Sequence, residues 1–171
     1  MNQRVEIYCD VDGVLAEFTD RFIRVMNIQP DDAFAAMGDG EVWAQLNAAD
    51  PQFFASLEPI RESHYLQQAL KEYNRMGFKV MMLTAYPGKY PAWARQKKEW
   101  VRKHIGNYPT ITVPGAKSKK AYAGPYSILI DDYHKTIREW DSAGGIGVYH
   151  QYNKYSKTIN KLNEAVEKLT K

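Results

Sequence analysis

The chain has 171 residues, 44% hydrophobic and 13% aromatic, which fits one domain with a real core and excludes a disordered polymer. Its formal charge of +3 is spread along the sequence and densest at RQKKEWVRKH and KSKK, so a long polyanion track is not indicated and a small phosphorylated ligand suffices as an anionic partner. A single cysteine, Cys9, excludes an internal disulfide; without a secretory leader or a run of about 18 apolar residues, the expectation is a cytoplasmic protein with no membrane partner.

In chain order, RVEIYCD reads as a first strand, and LAEFTDRFIRVMN as a helix with Leu15, Phe18, Phe22, Val25 and Met26 close to helical spacing. Residues 28–60 lack strand alternation, contain Gly38, Gly40 and three prolines, and hold only short helical pieces such as EVWAQLNAA. They read as an inserted lid. SHYLQQALKEYNRMG is a helix stopped at Gly77, and FKVMMLT is a second strand. WARQKKEWVRKHIG is a helix, TITVP and SILID are strands, HKTIREWDSAGG is a helix and IGVYH the last strand. SKTINKLNEAVEKLTK closes the chain as an amphipathic helix. Nearly all-apolar strands separated by helices predict an α/β fold with a parallel sheet covered on both faces.

In such sheets ligands bind outside the carboxyl ends of the strands. Asp10 and Asp12 follow the first strand, Thr84 the second, and Asp131 and Asp132 the strand SILI. Alternate strand residues share a face, so Asp10 and Asp12 side by side repel unless something rewards the arrangement. Three explanations stand at this point: a divalent cation, a phosphate chemistry needing one nucleophilic and one protonatable carboxylate, or a solvated loop. Oxygen-only ligands favour Mg²⁺, and Cys9 points away from Asp10 by alternation, which argues against a thiolate site. With a phosphate bound, Asp10 is placed as nucleophile and Asp12 as the acid for the leaving oxygen. Thr84 would donate to a phosphoryl oxygen, and a lysine would neutralise the developing charge. The plain alternatives are a turn role for Thr84 and an N-cap role for Asp132 ahead of HKTIREW.

The set CDVDGVLAEF, MMLTAYP and KSKKAYAGPYSILIDDY closely resembles, in order, the four signature motifs of the haloacid dehalogenase-like (HAD) superfamily. The resemblance implies a Rossmann-like three-layer core (1–17 and 61–171) with a small helical cap at about 18–60. It implies Asp10 as nucleophile and metal ligand, Asp12 as general acid/base and ligand through its backbone carbonyl, Thr84 as the second-motif hydroxyl, and Asp131 and Asp132 as the metal-end pair. Lys119 is favoured as the motif lysine, with Lys120 second and Lys117 as surface charge. EVWAQL, PQFFASLEP, KKEWVRKHIG and AGGIGVYH further resemble the 5′(3′)-deoxyribonucleotidases and their bacterial and phage relatives. That likeness puts Phe18, Trp43 and Phe54 near a base and Lys89 near a phosphate-side loop, while Ala85 stands where relatives often carry a second hydroxyl. The implied activity is a Mg²⁺-dependent phosphomonoesterase working through an aspartyl-phosphate, a 5′-nucleotidase acting on (deoxy)ribonucleoside monophosphates. No stable nucleic-acid partner is expected, and a homodimer is left open. The alternatives are a polynucleotide 3′-phosphatase with a basic groove and a non-catalytic phosphate- or nucleotide-binding module.

Overall fold

A computed structural model describes residues 3–171. The apolar runs form β1 (Glu6–Cys9), β2 (Lys79–Tyr86), β3 (Thr110–Pro114), β4 (Ser127–Asp131) and β5 (Ile146–Tyr149), paired in parallel in the order β3-β2-β1-β4-β5. Strand alternation sorts the side chains. Ile7, Cys9, Val80, Met82, Ile128 and Ile130 enter one core cluster, and Tyr8, Met81, Leu83 and Leu129 enter another on the opposite face. The first face carries α4 (His64–Arg75), α5 (Pro91–His104) and α7 (Tyr155–Thr170), whose apolar stripes supply Leu66, Leu70, Trp100, Val101 and Leu162. The second is covered by α6 (His134–Ser142) and by a 3-10 helix, Ala116–Tyr122, in a stretch the sequence reading left without an element.

From β1 the chain steps outward through β2 to β3, then crosses back so that β4 lies on the other side of β1. A crevice opens where strand order reverses, outside the carboxyl ends of β1 and β4. Those ends carry Asp10 and Asp131.

The first helix begins later than its periodicity predicts. Val11 to Glu17 form a compact turn in which the Val11 carbonyl accepts from the amides of Leu15 (2.8 Å) and Ala16 (2.9 Å), so α1 spans only Phe18–Met26. The chain leaving this turn is clasped by the chain returning to it: Ile60 N–H donates to the Leu15 carbonyl, and Glu17 N–H to that of Glu58, both at 2.8 Å. Between these clasps lie α1, α2 (Pro30–Met37) and α3 (Asp39–Ala49), complete helices rather than short pieces. Proline at the first position of α2 and acidic residues in the first turns of α2 and α3 suit helix starts. Their inner faces bury Phe22, Ala33, Val42 and Leu46 with Phe53 and Leu57, continuous with the larger core.

α5 ties the returning segment down. Trp93, Gln96, Lys97 and Trp100, spaced three and four apart, share one buried helix face. Trp93 Nε1 and Gln96 Nε2 both donate to the Pro51 carbonyl (3.0 and 2.9 Å), Gln96 Oε1 accepts from Ala55 N–H (3.1 Å), and Trp100 Nε1 donates to the Leu57 carbonyl (2.7 Å). Replacing Trp100 by Phe leaves that carbonyl buried without its donor, which costs about 1–3 kcal/mol. Urea unfolding of Trp100→Phe is expected to show a lower midpoint at an unchanged m-value; an unchanged midpoint would remove this bond from the forces holding the segment.

Candidate active site

Two buried lysines, one from each layer, meet the acidic residues at the crevice. Asp10 continues the β1 ladder through its N–H to the Ile130 carbonyl (2.9 Å), and by alternation it shares a face with Tyr8, as Asp131 does with Leu129. That is the face covered by the 3-10 helix, and from there Lys119 Nζ donates to Asp10 Oδ1 (2.9 Å) and Asp131 Oδ2 (2.7 Å). Thr84 alternates with Leu83 and points to the other face, where α5 packs. There Lys97 Nζ donates to Thr84 Oγ1 (3.2 Å) and to Asp12 Oδ2, and sits 3.9 Å from the centroid of the Phe54 ring. Lys97 is 1% exposed and Lys119 is 3% exposed.

Carboxylate oxygens of Asp10, Asp131 and Asp132 lie within 4.8 Å of one another. Asp132 is not the N-cap of α6: that position is held by Tyr133, and the helix start has no side-chain cap bond, the Tyr133 amide donating instead to Asp131 Oδ1 (3.0 Å). Gly13 makes the approach of Asp132 feasible. Its φ of +78° is glycine territory, and a Cβ there would sit 2.0 Å from Asp132 Oδ2.

Two ammonium groups against four carboxylates leave the ionised site with two net negative charges. The titration behaviour follows. Burial, then Asp10, pushes Asp131 up to about 6. Desolvation in the crevice, then Asp10 and Asp131, pushes Asp132 up to about 9, although its side chain still reaches solvent. Asp12 is also raised, by burial first and by Asp10, with Lys97 opposing. For Lys119 burial disfavours the charge, but Asp10 and Asp131 outweigh it and hold the ammonium protonated. A site with three converging carboxylates, no nitrogen or sulfur donor among them, and uncompensated negative charge fits a hard divalent cation such as Mg²⁺. Asp12 Oδ1 is shielded from solvent and has no hydrogen-bond partner, so one oxygen of this carboxylate is tied and the other is free.

These groups floor a cleft of about 670 Å³ that also reaches Ala85 and Gly13. The opposite wall comes from α1–α3: Phe18, Phe34 and Trp43, edged by Asp31 and Asp39. A cavity of about 520 Å³ beside Arg4, Gly77 and Tyr126 contains no acidic side chain.

The structure thus gathers Asp10, Asp12, Lys119, Asp131 and Asp132 at the cleft, with Thr84 fully buried one step behind them and Ala85 in the wall. Phe18 and Trp43 line the cleft. Phe54 does not: it is 2% exposed and roofs Lys97, because its ring is enclosed by Phe18, Phe53 and Trp93. Lys89 is exposed outside the cleft, and Lys120, one residue on from Lys119, turns to the outer surface beside Lys135 and Arg138. Sequence reasoning missed Lys97, which looked like one more charge in RQKKEWVRKH. Its spacing, four after Trp93 and three before Trp100, was the available signal. Phe34 was missed as well.

The family described as "5' nucleotidase, deoxy (Pyrimidine), cytosolic type C protein" matches residues 3–168. No curated protein gives a significant sequence match. Among solved structures, a haloacid dehalogenase-like family hydrolase from Xanthomonas campestris is similar with a TM-score of 0.62 at 10% identity, over 99% of this chain and 96% of that one. A HAD-superfamily hydrolase from Ehrlichia chaffeensis has a TM-score of 0.53 at 13% identity, over 97% and 99%. A HAD family enzyme from Bacteroides thetaiotaomicron, in complex with magnesium and inorganic phosphate, has a TM-score of 0.53 at 14% identity, over 89% and 96%. These structures share the fold of this chain; with the family match spanning residues 3–168, the protein belongs to this 5′-nucleotidase family and is a phosphoric monoester hydrolase.

Proposed function

We propose that the protein is a Mg²⁺-dependent 5′-nucleotidase that passes the phosphoryl group of a nucleoside monophosphate to Asp10 and then to water. The observation that carries this reading is the cleft itself, with Asp10 and Lys119 at one end and the rings of Trp43, Phe34 and Phe18 at the other. The family's description makes deoxypyrimidine nucleoside monophosphates the first substrates to test, and its cytosolic type agrees with a cytoplasmic setting. No described helix is long and apolar enough to cross a membrane. Residues 18–60 act as the cap, hinged where Leu15 and Glu17 pair with Ile60 and Glu58.

Asp10, Asp131 and Asp132, with the Asp12 carbonyl, would hold the Mg²⁺, which when bound supplies the positive charge that lets an anionic ester approach an anionic carboxylate. The similar Bacteroides protein with bound magnesium and phosphate supports that choice of ion. An Asp10 oxygen attacks phosphorus, the P–O bond to the nucleoside breaks, and Asp12 gives the leaving oxygen its proton. Asp12 then takes a proton from the water that attacks the aspartyl-phosphate, restoring both carboxyl groups. Lys119 stabilises charge on the phosphoryl oxygens. Seven titratable side chains line the cleft as charged-type groups other than tyrosine, six of them Asp against Lys119 alone, which speaks against a polyanionic substrate such as an oligonucleotide.

Chelation is expected to abolish phosphate release and Mg²⁺ to restore it. The same ion should raise the melting temperature, since a ligand at about 100 times its Kd adds about 2.7 kcal/mol to stability. Full activity and an unchanged melt in chelated buffer would sink the metal assignment.

Asp10→Asn should eliminate turnover of every ester while the protein stays folded. Asp12→Asn should lose about 10²–10⁴-fold on a nucleoside monophosphate but much less on p-nitrophenyl phosphate, whose leaving group needs little help from an acid. Equal losses of Asp12→Asn on both esters would reject the acid role.

Trp43→Ala should weaken nucleotide turnover by about 1–3 kcal/mol relative to p-nitrophenyl phosphate if the ring stacks on the base. Steady-state kinetics on the two esters decide this, and parallel losses would assign Trp43 to packing instead.

A further inference from the structure

We propose that Lys97 is a positioning residue for the phosphatase reaction: it fixes one oxygen of Asp12 so that the other stays free for the leaving-group proton, and it links that arrangement to the base of the cap. The proposal rests on the reading of Asp12 as general acid/base and extends it to a residue that does not line the cleft.

Lys97 has three neighbours that leave its ammonium little freedom. It donates to Asp12 Oδ2 and to Thr84 Oγ1, and the Phe54 ring closes the third side at 3.9 Å. Asp12 Oδ2 is therefore held from behind, whereas Asp12 Oδ1 is shielded and unpartnered. A carboxyl group with both oxygens free could rotate; with one oxygen held by a buried ammonium, rotation breaks a charge-assisted bond. Stability is a weak reason to bury such a pair, since a well-packed apolar replacement is often neutral or better. An orienting role explains what stability does not.

The link to the cap runs along α5. Gln96 and Trp100, on either side of Lys97 on the same helix face, bind the backbone of Pro51, Ala55 and Leu57, and Phe54 belongs to that segment. The helix that orients Asp12 is thus the helix that anchors the returning end of the cap. A shift of the 51–57 segment moves the ring over Lys97, and with it the carboxyl group that must meet the leaving oxygen.

The test compares wild type, Lys97→Met, Asp12→Asn and the double variant Asp12→Asn/Lys97→Met, with Mg²⁺, on a nucleoside monophosphate and a series of aryl phosphates of increasing leaving-group pKa. Lys97→Met is expected to lose about 10²-fold in kcat on the nucleoside monophosphate, with KM changed far less, and to show a steeper dependence of kcat/KM on leaving-group pKa than wild type, as loss of acid assistance requires. A loss of the same size on every ester overturns the proposal, because a merely structural lysine affects all leaving groups alike. If Lys97→Met does not fold, as judged by circular dichroism, the double variant decides, since it leaves no buried charge unpaired. Its leaving-group dependence should equal that of Asp12→Asn, and additional steepening overturns the proposal. A wild-type protein that releases phosphate from no monoester overturns the phosphatase reading beneath it, which separates that failure from a uniform Lys97→Met loss in an active enzyme.

Discussion

The structure depends on holding four carboxyl groups together where β1 and β4 end. Two like charges about 4 Å apart repel by roughly 4 kcal/mol at the effective dielectric of a protein surface, and Asp10, Asp131 and Asp132 bring oxygens within 4.8 Å. Lys119 between Asp10 and Asp131, and Lys97 behind Asp12, offset part of this. The remainder is the reason the site suits a divalent cation and a substrate that arrives with its phosphate.

A parallel sheet covered on both faces is well suited to that task. Successive residues along each strand point to alternate faces, so a helical layer on each side can deliver one cation to its own subset of side chains. Lys119 reaches Asp10 and Asp131 from the thinner layer of α6 and the 3-10 helix, and Lys97 reaches Thr84 and Asp12 from the α5 side. The glycine turn between Asp12 and α1 completes the arrangement by letting Asp132 lie against Gly13. Here a missing Cβ is part of the site.

The α1–α3 segment is joined to this centre by more than its two chain connections. Its aromatic rings form a graded series, from Phe22 and Phe53 in the interior, through Phe54 against Lys97, to Phe18, Phe34 and Trp43 at the cleft. The same packing that buries apolar area therefore delivers flat surfaces to the cleft and seals Lys97 behind it. Because α5 binds the 51–57 backbone and carries Lys97, the geometry of that segment and of Asp12 are set together.

Sequence alone determined the class of fold and most of the polar centre. Apolar runs with turn residues at their carboxyl ends identify strand ends, and in a parallel sheet those ends converge whatever the loops do, so Asp10, Asp12, Asp131 and Asp132 were readable from local pattern, and Lys119 from its motif. Tertiary structure decided the rest. Lys97 becomes part of the site only because a buried stripe of α5 passes behind Thr84, and Phe54 leaves the cleft wall only because Trp93 and Phe53 enclose it. Lys119 and Lys120 are adjacent in the chain yet one is buried and the other exposed, a difference set by the tight winding of a 3-10 helix against the sheet. Periodicity reports which face of its own element a residue occupies; what that face meets depends on elements tens of residues away, and that is settled only by packing.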